Sequence, residues 1–280
     1  MIAVVYSGSK TAYWKIAQDG KTIAECNMPG INPCFNDQKS ILQFLNKKSI
    51  LVNHAESIKK IYVFAAGASS EERRNELAET LGMFFRYSKI TVKDDLYGAA
   101  ISACYNNPGI VGLLGSGANC AYYDGKKPEK NNFGLGYILG DEGSANYLGK
   151  TLLKCFVQDK LPKDLHKKFE LKYNLDRPQI LERVYKRPLA QQFLSSFFDF
   201  FLENRNDKFL LGIIEKGFES YFNTYLLPTL KLHPGKEIHF VGLVAGNFQE
   251  ELRATAKKHG LEITSITKEP IYNLLNYYSN

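Results

Sequence analysis

The sequence has few residues of the kinds that build disulfide frameworks or zinc sites. Its five cysteines are odd in number, widely spaced and without a Cys-x-x-Cys pair, so we expect reduced thiols that serve as packing residues. Its five histidines include no pair at the spacing of a metal-binding helix face. These absences exclude the usual zinc motifs, and we assign no metal-ligating residue.

Long apolar runs are also missing. No stretch approaches the roughly eighteen uncharged residues of a membrane helix, and residues 1–5 lack the basic start and cleavage site of a signal peptide. We therefore expect a cytoplasmic protein that has no membrane partner. The 280 residues, 44% of them hydrophobic, suffice for one large domain or two ordinary ones.

The positive charge is not concentrated in one place. The net charge is +7, but the lysines are spread along the chain and the longest basic runs are pairs such as Lys47-Lys48 and Lys257-Lys258. A nucleic-acid-binding protein more often carries a basic stripe with interleaved aromatic residues. We expect no nucleic-acid partner, although a mildly basic surface favours phosphorylated ligands.

The order of predicted elements repeats along the chain. Short apolar runs and tight turns predict three strands at residues 2–6, 12–17 and 22–26. After them we expect helices at 37–47, 71–85 and 96–105 and strands at 58–66 and 90–92. A second series starts with strands at 109–114 and 119–123 and a hairpin signal at 124–126.

The second series continues mainly with helices. We expect helices at 146–158, 178–185, 189–203, 208–227, 248–259 and 271–278, and strands at 237–241 and 261–266. The repetition predicts an α/β protein of two ribonuclease-H-like (actin-like ATPase) domains with a cleft between them. The domains would span residues 1–107 and 108–280, with a helical insertion at about 160–230 and a closing helix at 270–280 that packs back on the first domain.

The sequence does not match three familiar nucleotide-binding and catalytic motifs. Gly149-Lys150-Thr151 resembles the end of a P-loop, but the glycine that it requires is one position too far away. Residues 134–140 resemble a dinucleotide fingerprint with one extra residue and do not follow a first strand. No Gly-x-Ser-x-Gly elbow is present for a serine nucleophile.

Two small-residue turns follow apolar strands at matching places in the two halves. They are Ser7-Gly8-Ser9 and Gly115-Ser116-Gly117. Such turns let backbone N–H groups approach an anion closely, which suits a triphosphate. Taken singly, each turn is better explained as an ordinary hairpin turn, and it is their matching positions in the two halves that favour phosphate binding.

Several segments together resemble the successive signatures of one family. They are Gly30-Ile31-Asn32-Pro33, residues 95–100, 114–119 and 136–144, and His239-Phe240-Val241-Gly242. In this order they resemble bacterial N-acetylglucosamine kinase-like proteins within the BadF/BadG/BcrA/BcrD-type ATPases of the actin-like sugar-kinase superfamily. The resemblance implies ATP-dependent phosphorylation of an amino sugar, N-acetylglucosamine to its 6-phosphate, with ATP and Mg²⁺ as cofactors and a small-molecule sugar as partner.

The resemblance also implies roles for residues on the sugar side. Asp95 would be the general base for the sugar hydroxyl, and Asp141 would bind sugar hydroxyls in a pocket shaped by Asn32 and Gly136, with Glu142 supporting the loop. Each aspartate has a plainer alternative. Asp95 suits a helix N-cap, and the segment around Asp141 suits a capping box for the helix near residue 146.

On the nucleotide side, the resemblance implies phosphate and adenosine ligands in three turns. They are Ser7, Gly8, Ser9, Lys10 and Thr11 in the first, Gly115, Ser116, Gly117 and Asn119 in the second, and Gly242 in the adenosine turn.

The sequence departs from the family pattern at the first turn. Tyr6 stands where the family has an aspartate that holds the Mg²⁺–water shell, and a phenol does not replace that charge. Leu243 and Ala118 are milder departures. Two hypotheses thus compete: an active amino-sugar kinase, or a sugar or nucleotide sensor that has lost phosphoryl transfer. A third, an ATPase that activates a partner protein, lacks the iron–sulfur cysteines typical of such activators.

An aromatic-rich segment bears on oligomeric state. Phe193, Phe197, Phe198, Phe200 and Phe201 cover more of a helix than one apolar stripe requires. They indicate either a buried core helix or the face of a homodimer.

Overall fold

The structure is a computed structural model that describes residues 1–279. Its first sheet consists of β1 (Ile2–Ser7), β2 (Thr11–Gln18), β3 (Lys21–Pro29), β4 (Lys60–Ala65) and β5 (Lys89–Asp94). The strand order is β3-β2-β1-β4-β5, with β1, β2 and β3 antiparallel and β4 and β5 parallel to β1. Ser7, Ala65 and Asp94 are in register at one edge, so the first turn and the end of β5 lie on the same side of the sheet.

The second sheet has four strands. They are β6 (Gly109–Leu114), β7 (Ala118–Tyr123), β8 (Ile238–Val241) and β9 (Ser265–Thr267). The order is β7-β6-β8-β9; β6 and β7 form a hairpin, and β8 and β9 run parallel to β6. The two sheets thus share an arrangement in which the first hairpin turn follows a central strand.

Helices fill the rest of the fold. They are α1 (Gln38–Asn46), α2 (Ser49–His54), α3 (Glu71–Phe84), α4 (Asp95–Cys104), α5 (Gly136–Leu139), α6 (Ala145–Val157), α7 (Lys163–Tyr173), α8 (Arg177–Tyr185), α9 (Ala190–Ser196), α10 (Phe198–Glu203), α11 (Lys208–Tyr221), α12 (Leu227–Leu232), α13 (Leu243–Asn247), α14 (Gln249–Lys258) and α15 (Ile271–Ser279), with a π-helical turn at Phe222–Leu226. Among residues 1–279, no helix is both long and apolar enough to cross a bilayer.

Helix α4 lies between the two sheets. It contacts β4 and β5 of the first sheet and β6 and β8 of the second, and α15 packs against α4, β1 and β2. Small residues permit this position, since a Cβ at Gly98 would lie 2.7 Å from the side chain of Phe64. The first residue of α4, Asp95, is therefore held where the two halves of the molecule meet.

Several local predictions are corrected by the structure. The strand predicted at 261–266 is only Ser265–Thr267, and the helix predicted at 189–203 is two helices that meet at Phe197. Helices α2, α5 and α13 were not predicted, and α7 was covered only by the predicted helical insertion at about 160–230. After β7 the hairpin signal at 124–126 leads to a single bridge between Tyr123 and Pro128, so the second half, as described up to residue 279, has no counterpart of β3.

The aromatic-rich segment faces inward. Phe197, Phe198, Phe200 and Phe201 are buried in the core of the second half, and Phe193 packs against it. The core-helix interpretation is confirmed, and the apolar face on which the homodimer hypothesis depended is not available. The oligomeric state and the domain boundary at 107/108 stay predictions.

Candidate active site

The first small-residue turn, at residues 7–9, is held in place by hydrogen bonds and packing within the first half of the chain. Gly8 N donates to Thr11 O (3.1 Å), which closes the turn between β1 and β2. The buried Ser7 Oγ accepts a hydrogen bond from Ile31 N (2.7 Å) and donates to Ile31 O (3.0 Å). A Cβ at Gly30 would lie 2.3 Å from Gly8 O, so glycine is needed there. The hydroxyl of Ser7 thus fixes the loop of residues 30–32 against the turn.

Asn32 is held in that loop beside the end of β4. It is 4% exposed, and its Oδ1 accepts from Cys34 N (2.9 Å). Gly67, with a φ of 83°, packs so closely that a Cβ would lie 2.1 Å from Asn32 Oδ1. The predicted sugar ligand Asn32 and the predicted phosphate turn therefore form one packed unit in the first half.

The N-cap of α4 is Asp94, not Asp95. Tyr97 N donates to Asp94 Oδ1 (2.7 Å), whereas Asp95 Oδ1 accepts from its immediate neighbour Leu96 N (3.1 Å) and caps no turn of the helix. Burial, then the charge of Asp94 and to a smaller extent that of Asp141, raise the pKa of Asp95 from 3.8 to about 7. The capping interpretation of Asp95 is wrong, and its carboxyl group has the pKa of a base that works near neutral pH.

Asp141 is buried and tied to the second turn. Its backbone has a φ of 64°, its Oδ1 accepts from Ala118 N (3.0 Å) and its Oδ2 from Asn146 Nδ2 (2.9 Å). Burial raises its pKa. The N-cap of α6 is Ser144, whose Oγ accepts from Tyr147 N (3.3 Å), so Asp141 is not the cap. Each carboxylate oxygen keeps a further lone pair for a ligand hydroxyl.

The second turn, the start of α6 and Gly242 converge. Ala145 N donates to Gly115 O (2.9 Å), and a Cβ at Gly242, with a φ of 124°, would lie 2.4 Å from Leu114 O. A Cβ at Gly115 would meet no atom within 4 Å, so this side of the turn is open. The N–H groups of Ser116 and Gly117 donate to no acceptor among residues 1–279. Unpaired donors in a turn with an open side suit an anion such as phosphate.

Two tyrosines that the sequence did not single out support this region. Tyr221 Oη donates to Asn119 O (2.7 Å), while Tyr225 Oη accepts from Asp141 N (3.0 Å) and donates to Glu142. The π-helical turn that begins after Tyr221 carries Tyr225, and such turns are frequent at functional sites. No local signal predicts these contacts, because 84 residues separate Tyr225 from Asp141.

The remaining predicted site residues lie at the edges of this arrangement. Ser9 is buried, and Lys10 Nζ, about half exposed, lies 3.5 Å from Asp199 Oδ2. Gly136 begins α5 with a φ of 76°, next to the strongly exposed Ile138. Asp141, the second turn and Gly242 lie together, and the charge of Asp141 reaches Asp95 across the cleft. Asn32 and Gly136 belong to different halves.

Tyr6 lies beside Asp95 on the α4 side of the first sheet. It packs with the cluster that contains Phe64 and Leu96, and burial together with the charges of Asp95 and Asp94 raises its pKa well above 10. It is therefore a neutral phenol. In the part of the chain that the structure describes, no group of three or more His, Cys, Asp or Glu side chains is arranged to hold a metal ion. The turns fit the phosphates of a nucleotide, but the residues at the end of β1 do not fit a protein-held magnesium ion.

Comparisons with known proteins agree with this fold. No protein-family model matches the chain, and no curated protein matches it. Among solved structures, a Porphyromonas gingivalis protein provisionally assigned as an N-acetylglucosamine kinase is 31% identical over 100% of this chain and 99% of its own, with a TM-score of 0.92.

More distant structures share the fold alone. A second provisional N-acetylglucosamine kinase, from Chromobacterium violaceum, is 15% identical over 99% of both chains, with a TM-score of 0.72. A ROK family glucokinase from Streptomyces griseus, solved with glucose and AMPPNP, is 11% identical over 99% of this chain and 97% of its own, with a TM-score of 0.59. The full-length similarity to the P. gingivalis protein shows that this chain belongs to the N-acetylglucosamine kinase-like family of sugar kinases, with the two-domain actin-like fold.

Proposed function

We propose that this protein transfers the γ-phosphoryl group of ATP to an amino sugar, with N-acetylglucosamine as substrate and its 6-phosphate as product. The observation that carries the proposal is Asp95. It is the first residue of a helix held between the two halves, and it does not cap that helix because Asp94 does. Its pKa of about 7 suits a general base.

Each step of the transfer has a candidate group in the chain. Asp95 accepts the proton of the sugar hydroxyl as its oxygen attacks the γ-phosphorus, and the bond to the leaving ADP oxygen breaks. Asp141 orients the sugar through the lone pairs that Ala118 N and Asn146 leave free. The N–H groups of the second turn, and those of Ser9 and Lys10 in the first, hold the phosphates, while Gly242 leaves room for the adenosine. Positioning by such fixed donors supplies much of the catalysis in phosphoryl transfer.

Magnesium would supply charge neutralisation on the phosphates when it is bound. We assign no protein ligand to it, because Tyr6 is neutral, Asp94 caps α4 and the lone pairs that remain on Asp141 are assigned to the sugar. This favours a second candidate function, a sensor that binds sugar or nucleotide but transfers phosphate slowly or not at all.

One coupled assay separates the two candidates. ADP release by the purified protein is measured with and without N-acetylglucosamine, N-acetylmannosamine and glucosamine, with Asp95→Asn as the control for background hydrolysis. Sugar-dependent turnover that Asp95→Asn abolishes supports the kinase. Calorimetric binding of sugar or AMPPNP without turnover supports the sensor. If the protein shows no binding and no turnover, both candidate functions are refuted.

A further inference from the structure

We propose that Gln191 and Gln192, at the start of α9, are positioning residues that hold the first phosphate turn across the cleft. The inference rests on the proposed function, since it assigns these residues to nucleotide binding by that same site. No feature of the sequence singled them out.

The contacts join the two halves at Ser9. Gln192 Nε2 donates to Ser9 O (2.9 Å), and Gln191 Nε2 donates to Ser9 Oγ (3.2 Å). Ser9 is 4% exposed, so the Ser9 side of both bonds is shielded from water, while the glutamines are half-buried. The adjacent pair of Lys10 and Asp199 is about half exposed on both sides, and exposed pairs of this kind add little. The two glutamines are therefore the main polar contacts from the second half to the first turn.

The backbone immediately before the glutamines has an unusual geometry. Leu189, the residue before α9, has a φ of 62°, which is rare for a residue other than glycine. Such strain persists only where the surrounding structure determines it. Helix α9 lies directly on α6: a Cβ at Gly149 of α6 would be 1.9 Å from Leu194 O. The start of α9 is thus fixed on α6 rather than free to move.

The same helix α6 carries the link to the sugar side. It begins immediately after the loop of Asp141, and Asn146 in its first turn donates to Asp141 Oδ2 (2.9 Å). A continuous series of packed contacts therefore runs from Asp141 through α6 and α9 to Ser9. On the other side of the turn, Gly30 packs against Ser9, since a Cβ there would lie 2.7 Å from Ser9 O.

The first turn is consequently held between Gly30 of its own half and the glutamines of the other. A turn that is already oriented loses less conformational freedom when it binds phosphate. We expect the glutamines to affect nucleotide binding and to leave sugar binding and the chemical step largely unchanged.

The test uses Gln191→Met/Gln192→Met, which keeps the length of both side chains and removes the amide donors. The control is Ser196→Ala, since Ser196 Oγ donates only to Phe193 O within α9 (2.7 Å). Without ligand, hydrogen exchange followed by mass spectrometry should show faster exchange at residues 8–11 in the double variant, with α9 unchanged. With substrates, KM for ATP should rise roughly five- to thirty-fold, as expected for two neutral hydrogen bonds, while kcat and KM for the sugar stay within about twofold.

The inference would be overturned by unchanged exchange at residues 8–11, or by faster exchange with an unaltered KM for ATP. Equal effects in Ser196→Ala would also overturn it, because they would reflect α9 and not the amides. If the wild-type protein shows no sugar-dependent turnover, the proposed function fails. The exchange result and the dissociation constant of AMPPNP, measured by calorimetry, then decide the positioning role alone.

Discussion

Replacing Asp95 with asparagine should make the protein more stable at alkaline pH while it removes activity. The carboxyl group lies at the start of α4 between the two halves, next to Asp94, and its pKa is raised from 3.8 to about 7. The raised pKa means that the folded protein resists the ionisation that catalysis requires. Asparagine has nearly the same shape, keeps an oxygen for Leu96 N and carries no charge.

The sign and size of this change in stability follow from the linkage between folding and proton binding. Because the folded pKa of Asp95 is above the unfolded value, the stability it contributes is fully present below pH 3.8 and is lost as the pH rises through 7. At pH 8 the full shift corresponds to at most about 4 kcal/mol, and at pH 5 to about 1–2 kcal/mol. We expect Asp95→Asn to gain about 2–4 kcal/mol at pH 8, with a gain less than half as large at pH 5. Loss of a general base should lower kcat by about 10²–10⁴-fold.

The single tryptophan of the chain allows unfolding of the first half to be followed by fluorescence. Trp14 lies buried in β2, stacked on Phe85, so its fluorescence reports unfolding of the half that contains α4. Urea unfolding of the wild type and of Asp95→Asn would be compared at pH 5 and pH 8. Asp37→Asn is the control, because Asp37 is exposed and hydrogen bonds to Ser40 lower its pKa, so no gain is expected. A gain that is absent at pH 8, or equal at both pH values, would refute the reasoning.

Three further substitutions test the supports of the site. Tyr225→Phe leaves Asp141 N without its acceptor, so we expect a loss of about 1–3 kcal/mol in thermal unfolding and a higher KM for the sugar; unchanged values would contradict this role. Gly149→Ala should destabilise the protein by about 1–3 kcal/mol or more because its Cβ meets Leu194 O. Its control, Gly212→Ala, lies in open space on α11 and should stabilise the protein by about 0.5–1 kcal/mol in the same unfolding experiment. Equal effects of the two substitutions would contradict the packing argument. Gly242→Ala should weaken AMPPNP binding in calorimetry, because the φ of 124° and the contact with Leu114 O exclude a side chain, and wild-type affinity would count against the adenosine turn.

Elements set by local chemistry were well predicted from the sequence. The first three strands were expected at 2–6, 12–17 and 22–26 and are found at Ile2–Ser7, Thr11–Gln18 and Lys21–Pro29. Apolar runs and turn residues determine such hairpins within a few positions. The edge at which Asp94, Ser7 and Ala65 align then follows from the parallel pairing of β1, β4 and β5.

The cap of α4 shows where local chemistry leaves a choice open. Asp94 and Asp95 are equally suited to an N-cap by residue type. The choice depends on where β5 ends, since the extended backbone of Asp94 directs its Oδ1 to Tyr97 N. A sequence pattern that places helix ends only within a few residues does not decide between neighbours.

The contacts of Tyr225 and the two glutamines were not predictable for a different reason. Gln192 and Ser9 are 183 residues apart, and Tyr225 and Asp141 are 84 apart. Periodicity reports the face of a helix that is buried, but not the distant segment that covers it. Only the packing of α9 on α6 and the π-helical turn bring these side chains to the site.

The position of Tyr6 near Asp95 determines what its replacement by aspartate would do. The phenol lies near Asp95 and Asp94, and it is neutral because those charges and its burial raise its pKa. An aspartate at this position would supply a carboxylate toward Mg²⁺, but it would also add a further negative charge beside Asp95 and raise the pKa of the base above about 7. The two effects on turnover oppose each other at neutral pH. We therefore expect Tyr6→Asp to increase sugar-dependent ADP release only at alkaline pH and with excess Mg²⁺, which a pH–rate profile of both proteins measures. An equal increase at pH 7 and pH 9 would show that Tyr6 affects the metal alone and leaves the base unchanged.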